Sequence, residues 1–393
     1  MVVRREVIIV GAGPAGAATA LGIAARAPQL AAGTTILERA VHPRDKTCAG
    51  GIIPKGLHLL ERLGLTLDVP HARVDAARID TPRSRVEMHG DDLCRVVRRR
   101  EFDAMLAWAA RDRGVELREG EQVRAIVRDG DGVRVDTDRH AYWARAVVGA
   151  DGSGSQVRRA LVPGDGGVVA RGVMADVPLR ATTWSGDARR RYDFDFRSCA
   201  QGLRGYRWVF PCLVDGVPHA NVGVYALPPI DGVRLRRELA AALADIGAAS
   251  DSWKAFPIRT LRRGSAVAAA NTLLVGDAAG VDPLMGEGIS FALEYGALAA
   301  DALVRAAARG DWSFAGYGRA VHAGGIGRKL AALGMGARLF YGRASGLMFR
   351  LAGATARGQA IGLRWYNGGD GWDEQGTARA LWTLLARRPL GAP

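Results

Sequence analysis

Glu6-Val7-Ile8-Ile9-Val10-Gly11-Ala12-Gly13-Pro14-Ala15-Gly16 decides the fold of this chain, because an apolar strand runs directly into a turn suited to phosphate. The first five residues are a short β-branched run, which reads as a buried parallel strand. Gly11 permits a tight turn, Gly13 lets backbone approach a pyrophosphate, and Gly16 lets the next helix pack against the strand. That helix is expected from Pro14 through Arg26, with Pro14 and Ala15 opening it and its first amides facing the phosphates. Thr34-Thr35-Ile36-Leu37-Glu38 is then a second strand ending in an acid, 22 residues beyond Gly16. The Glu38 carboxylate, with Arg39 beside it, is placed to meet a ribose diol. A glycine turn of an unrelated α/β fold would not need strand, glycines, helix and acid together.

Three further segments follow: Lys46-Thr47-Cys48-Ala49-Gly50-Gly51, Gly149-Ala150-Asp151-Gly152, and Val275-Gly276-Asp277-Ala278-Ala279-Gly280. In this order and at these distances, the four segments point to FAD rather than to a nicotinamide dinucleotide held by a two-domain dehydrogenase. Paired glycines at 50 and 51 let backbone lie flat on a ring where a Cβ would clash.

The chain has 393 residues, 48% of them hydrophobic and 24% charged, which describes a globular protein with a proper core. Cys48, Cys94, Cys199 and Cys212 lack short paired spacings, which argues against a disulfide framework and against a zinc cluster, so no metal is expected. The first residues lead straight into a strand, leaving no room for a signal peptide, and no stretch approaches 18 uncharged residues. A reduced, cytoplasmic location is expected. The net charge of +14 is nearly all arginine, with lysine only at 46, 55, 254 and 329. Such charge favours anionic partners. No nucleic-acid-binding motif accompanies it, so no nucleic acid is expected. An anionic membrane surface, a diphosphate-bearing substrate and a merely solvated basic surface all remain open readings.

The expected fold class is α/β. It combines a Rossmann-like FAD-binding domain of the glutathione-reductase type, an inserted antiparallel β-sheet substrate domain and a helical C-terminal tail. The FAD-binding domain is discontinuous, over 1–70, 96–165 and 264–311. The sheet domain takes 71–95 and 166–263, and the tail 312–393. Helices are expected near Pro54–Leu63, Glu101–Ala110 and Gly286–Ala308. Strand-like runs at Arg191–Phe196, Tyr206–Leu213 and His219–Tyr225, with Asp215-Gly216 as a hairpin turn, form the inserted sheet over the flavin.

Tyr206-Arg207-Trp208-Val209-Phe210-Pro211 carries the most specific signal. It resembles the Tyr-x-Trp-x-Phe-Pro core of the geranylgeranyl reductase family, within the wider class of flavoproteins shaped like aromatic hydroxylases. The likeness extends from about residue 6 to about residue 320. Where that family usually has a proline three residues before the tyrosine, this chain has Leu203. The resemblance implies that Asp277 hydrogen-bonds the ribityl chain and that Arg99 and Asp151-Gly152 contact the cofactor. It also implies that the helix start around Pro283, Gly286, Gly288 and Ile289 presents amides to the flavin ring, where a dipole stabilises charge on reduced flavin. Lys46–Gly51 is similar to the family's Cys-x-Gly-Gly loop.

Saturating an isolated alkene needs hydride delivery coupled to protonation of the other carbon. Tyr206, or a water held near Cys48, is the expected proton source, and the faces of Trp208 or Tyr206 would stabilise positive charge on the alkene. A core aromatic pair is the alternative for Tyr206 and Trp208, and a small buried hydrophobe that for Cys48. Arg158 and the Glu287 side chain read as a surface charge and a first-turn acid. The resulting function is an FAD-dependent reductase acting on a hydrophobic prenyl-type small molecule, with NAD(P)H or ferredoxin as electron donor. A flavin monooxygenase is the rival. Halogenation is disfavoured, because no lysine lies between Lys55 and Lys254. In the tail, Arg343, Arg350, Arg357 and Arg364 recur at seven-residue spacing, consistent with peripheral contact with an anionic membrane or with helices packed on the body.

Overall fold

The computed structural model describes residues 2–162, 164, 167–184, 190–342 and 345. Two eight-stranded sheets organise them. In the first, Val2–Val10 lies between Thr34–Glu38 and Ala141–Gly149, parallel to both, with Val7 opposite Thr34 and Ala146. Glu116–Glu119 and Thr272–Leu274 extend it in parallel on the two sides. Val7, Ile8 and Ile9 are wholly buried, each such side chain contributing about 1.5–3 kcal/mol by its removal from water. Helices Pro14–Arg26 and Ile289–Arg309 pack closely on one another, because Gly22 and Gly296 leave room for Ala300 and Ala18.

The second sheet runs in the order Lys254–Thr260, Val168–Pro178, Val217–Ala226, Gly205–Val214, Arg191–Asp195, His71–Asp80, Arg85–Val97, Gly51–Ile52. It is antiparallel except where Arg191–Asp195 pairs in parallel with His71–Asp80. Asp215 and Gly216, both at positive φ, turn the hairpin between Gly205–Val214 and Val217–Ala226. One face carries Tyr206, Trp208 and Phe210 into the main core. On the other face, Val209, Val222 and Val224 meet the helix Gly232–Ala244. That helix is not among the sequence-based expectations, although Asp231 caps it by accepting from the Arg234 amide at 2.7 Å and Leu235, Leu239 and Leu243 recur on its buried face.

The expected helices appear at Pro54–Arg62, Arg99–Asp112 and Ile289–Arg309. The last begins three residues later than expected, because Gly286 adopts φ +69° and Glu287 closes a cap instead. Much of the positive charge is matched locally on the second sheet: Arg78 and Arg191 both reach Asp193, and Arg207 reaches Glu238, at 2.7–2.8 Å. Among the described residues no helix is long and apolar enough to cross a membrane. Beyond Trp312, helices Ala315–Ala323 and Gly325–Phe340 are described, whereas Arg343, Arg350, Arg357 and Arg364 lie outside the described residues.

Candidate functional site

The glycine turn is shaped by backbone contacts. Gly11 sits at φ +103°, and a Cβ there would lie 2.5 Å from the Ala150 carbonyl oxygen; one at Gly16 would lie 2.0 Å from the Gly11 oxygen. Gly13 differs. A Cβ there would meet nothing nearer than the guanidinium nitrogens of Arg99 at 3.8 Å and Arg44 at 4.0 Å. The backbone thus leaves a space facing two cations, which suits a pyrophosphate. Both arginines converge on the fully buried Asp103. Arg99 donates to its two oxygens at 2.6 and 2.8 Å, and Arg44 approaches at 3.1 Å. Burial lowers the Arg99 pKa, but Asp103 outweighs it and the net shift is upward. Arg44 Nε is buried with no hydrogen-bond partner. Sequence reasoning missed Arg44; its only signal was its place two residues before Lys46.

Glu38 is buried at the end of its strand, accepting from the Ala12 amide at 3.0 Å and the Ala40 amide at 3.1 Å. Arg39 next to it is exposed. Asp151 accepts the amides of Gln156 and Val157 through one oxygen, while its other oxygen is buried without a partner. Burial raises its pKa against those bonds. Gly152, at φ +79°, has nothing within 4 Å of a built Cβ. Arg158 is not a surface charge. It is buried and donates to the carbonyls of Ala278 and Ala279 at 2.7 and 3.1 Å, fixing the turn that carries Asp277.

Gly276 at φ +56° lets that turn meet Ala15, and Asp277 accepts from the Ser153 hydroxyl at 3.1 Å. Gly288 follows closely, its Cβ position 3.6 Å from an Asp277 oxygen. Glu287 accepts from the Ser290 amide at 2.8 Å, which makes it a helix-capping acid. Lys46 is exposed as a residue, yet partial dehydration of its ammonium, with Arg99 second, lowers its pKa against the pull of Asp277, Cys48 and Asp103.

Cys48 is half-buried and accepts from the Gly50 amide at 3.4 Å; Ala49 beside it is also half-buried. Gly50, at φ +82°, is required by the protein itself, since its Cβ position lies 2.0 Å from the Val97 oxygen; at Gly51 a Cβ would lie 3.3 Å from Cys94 Sγ, a tight but yielding contact. Tyr206 and Trp208 share a face, with ring centroids 6.0 Å apart, and Tyr206 also lies 5.5–5.6 Å from Phe194, Phe196 and Tyr225. The Tyr206 hydroxyl donates to the Met285 carbonyl, and burial raises its pKa. Trp208 is held by a chain of hydrogen bonds. Its indole donates to Asn221 at 2.7 Å, Asn221 donates to Asp176 at 2.7 Å, and Arg98 donates to Asp176 at 2.8 Å. Cys212 adjoins Asp176, and burial pushes its thiol up to about 12, so it stays protonated.

An FAD binding domain family matches residues 4–191. A menaquinone reductase of Mycobacterium tuberculosis is 32% identical over 329 residues, covering 76% of each chain. A digeranylgeranylglycerophospholipid reductase of Methanosphaera stadtmanae is 29% identical, covering 78% of this chain and 79% of its own. Among solved structures, a geranylgeranyl bacteriochlorophyll reductase-like protein from Thermoplasma acidophilum superposes with a TM-score of 0.75 at 19% identity, covering 89% of this chain and 91% of that one, a likeness of fold. Similarity that spans three quarters of both chains carries one conclusion. The chain belongs to the geranylgeranyl reductase family of FAD-dependent oxidoreductases.

Proposed function

We propose that this protein saturates carbon–carbon double bonds in the prenyl chain of a lipid, such as an isoprenoid quinone or a prenylated glycerolipid. The observation that carries the reading is the buried aromatic face of Tyr206, Trp208 and Phe210 set beside the Cys48–Gly51 loop. An aromatic wall accepts a flexible apolar chain and stabilises positive charge at an alkene carbon. The relatives named above act on such molecules by their names.

FAD, when bound, supplies the hydride. The space over Gly13 between Arg44 and Arg99 fits its pyrophosphate, and Glu38 its ribose. Asp277, the unpartnered oxygen of Asp151 and the helix start at Gly286, Gly288 and Ile289 are assigned to the rest of it. We read the cofactor domain as the glutathione-reductase type, divided as 1–70, 96–165 and 264–311, with 71–95 and 166–263 as substrate domain and 312–393 as the tail. Within the site, Trp208 orients the chain and shields the alkene from water. Tyr206 Oη keeps its proton on the Met285 carbonyl, so its ring contributes more than its acidity. Cys48 Sγ, half-buried beside Arg99, holds the water or proton that completes saturation. Electrons come from transient NAD(P)H or from ferredoxin, and a cytoplasmic protein touching an anionic membrane would meet a lipid substrate there.

Mixing the anaerobically reduced protein with menaquinone or a geranylgeranyl lipid tests this reading. The flavin should reoxidise, and mass spectrometry, with any quinone ring first returned to its oxidised form by air, should show product heavier by two hydrogens per double bond saturated. Product that carries an added oxygen atom, formed only in air, would replace the reductase with a monooxygenase.

A further inference from the structure

The segment Pro283-Leu284-Met285 ahead of the helix Ile289–Arg309 is held in an unusual way. Its three successive carbonyls each accept a hydrogen bond from a different tyrosine. Tyr225 donates to Pro283 at 2.9 Å, Tyr341 to Leu284 at 2.5 Å, and Tyr206 to Met285. All three tyrosines are buried, and burial raises the pKa of each. They come from three separate places: adjacent strands Gly205–Val214 and Val217–Ala226, and the end of the helix Gly325–Phe340. From the other side, the buried Asp282 carboxylate accepts the amides of Leu284 and Met285 at 2.7 and 3.0 Å. The Tyr225 ring also lies where a Cβ on Gly286 would fall, at 2.9 Å.

Carbonyls and amides of this strap are therefore sorted. The carbonyls face the aromatic cluster, and Asp282 takes two amides. Glu287 takes the Ser290 amide. The first amides of the following helix have no acceptor within the helix, and their end lies beside Asp277. A helix start stabilises negative charge placed before it, and a shift of its axis weakens that effect within one turn.

We infer that Tyr206, Tyr225 and Tyr341 are positioning residues. They clamp the Pro283–Met285 strap so that the start of the helix Ile289–Arg309 is aimed at the cofactor and favours its reduced, anionic form. The inference rests on the reading that FAD occupies the cradle over Gly13. Tyr341 gains a role by it, since its hydroxyl ties the helix Gly325–Phe340 to the cofactor loop. The tyrosine of the Tyr-x-Trp-x-Phe-Pro run then serves the flavin side while Trp208, two residues on, serves the substrate side.

The test is the reduction potential of the bound flavin in purified full-length Tyr206→Phe, Tyr225→Phe and Tyr341→Phe, each of which deletes one oxygen and keeps the ring. Each variant should hold reduced FAD about 3–10-fold less tightly relative to oxidised FAD, the scale of one hydrogen bond. The two-electron midpoint potential should then fall by about 15–30 mV, at 29.6 mV per tenfold. Tyr317→Phe is the control. Its hydroxyl donates to Leu274 at 3.0 Å, in the parallel sheet, so it should lower the Tm and leave the potential in place. If Tyr225→Phe does not fold, Tyr341→Phe at the end of the helix Gly325–Phe340 decides. Folded, flavin-replete variants that lose Tm at unchanged potential would overturn the clamp and leave the reductase reading intact. Wild-type protein that binds no FAD would overturn both.

Discussion

Glycine is needed both at the phosphate turn and beneath the aromatic face of the second sheet, but what it meets differs between those two places. In the cofactor half, Cβ atoms at Gly11 and Gly16 would strike backbone oxygens at 2.5 and 2.0 Å. At Gly172 and Gly223 in the second sheet, they would strike aromatic side chains, Phe256 at 2.3 Å and Trp208 at 2.1 Å. Backbone in a tight turn cannot move without unmaking the turn, whereas a ring can adopt another rotamer at modest cost. The phosphate turn is therefore fixed by main-chain geometry. At Gly172 and Gly223 the second sheet instead leaves the shape of its aromatic face to side chains that can repack.

The largest effect expected follows directly. Gly16→Ala should destabilise by about 5 kcal/mol, the scale of a severe backbone conflict, and yield little folded, yellow protein. Expression yield and flavin absorbance check this; a stable, FAD-replete variant would break the distinction drawn above. Asp103→Ala comes next. It leaves Arg99 and Arg44 without their shared carboxylate in a buried setting, which costs about 3–5 kcal/mol in urea denaturation and empties the cradle of FAD.

Gly223→Ala should cost about 1–3 kcal/mol, the range for overpacking, with FAD content unchanged and prenyl turnover reduced, because the indole of Trp208 is displaced from its seat. A loss of FAD equal to that in Gly16→Ala would show that the two halves are not separable in this way. A further expected effect is one of pH. Burial, opposed by the Leu284 and Met285 amides, raises the Asp282 carboxyl to about 7. The folded state therefore favours the protonated acid. Its contribution is full below the ordinary carboxyl pKa and is lost as pH rises through about 7. Between pH 5 and 8 the Tm of the wild type should fall relative to Asp282→Asn, and parallel profiles would contradict this.

What the sequence offers of the candidate site rests on local constraints. Gly11, Gly13 and Gly16 sit within one turn, and Glu38 ends the next strand, so spacing alone carried the dinucleotide reading. The aromatic strand was legible for the same reason, since alternation puts Tyr206 and Trp208 on one face. Arg44 and Arg158 were not. One arginine among many looks like solvated charge until folding buries it, and only the approach of Asp103, and of the carbonyls of Ala278 and Ala279, makes these two part of the site.

The order of residues alone dictates the strand–turn–helix suited to a pyrophosphate, the acid that follows it, and the alternation of the aromatic face. These depend on φ, on side-chain period and on contacts a few residues apart. Three other features exist only once the chain has folded: Gly50 yields to Val97 of its own chain, Asn221 and Asp176 orient Trp208, and three tyrosines from distant segments meet three adjacent carbonyls. A buried hydroxyl must find an acceptor, and which carbonyl it finds depends on where separate elements come to rest.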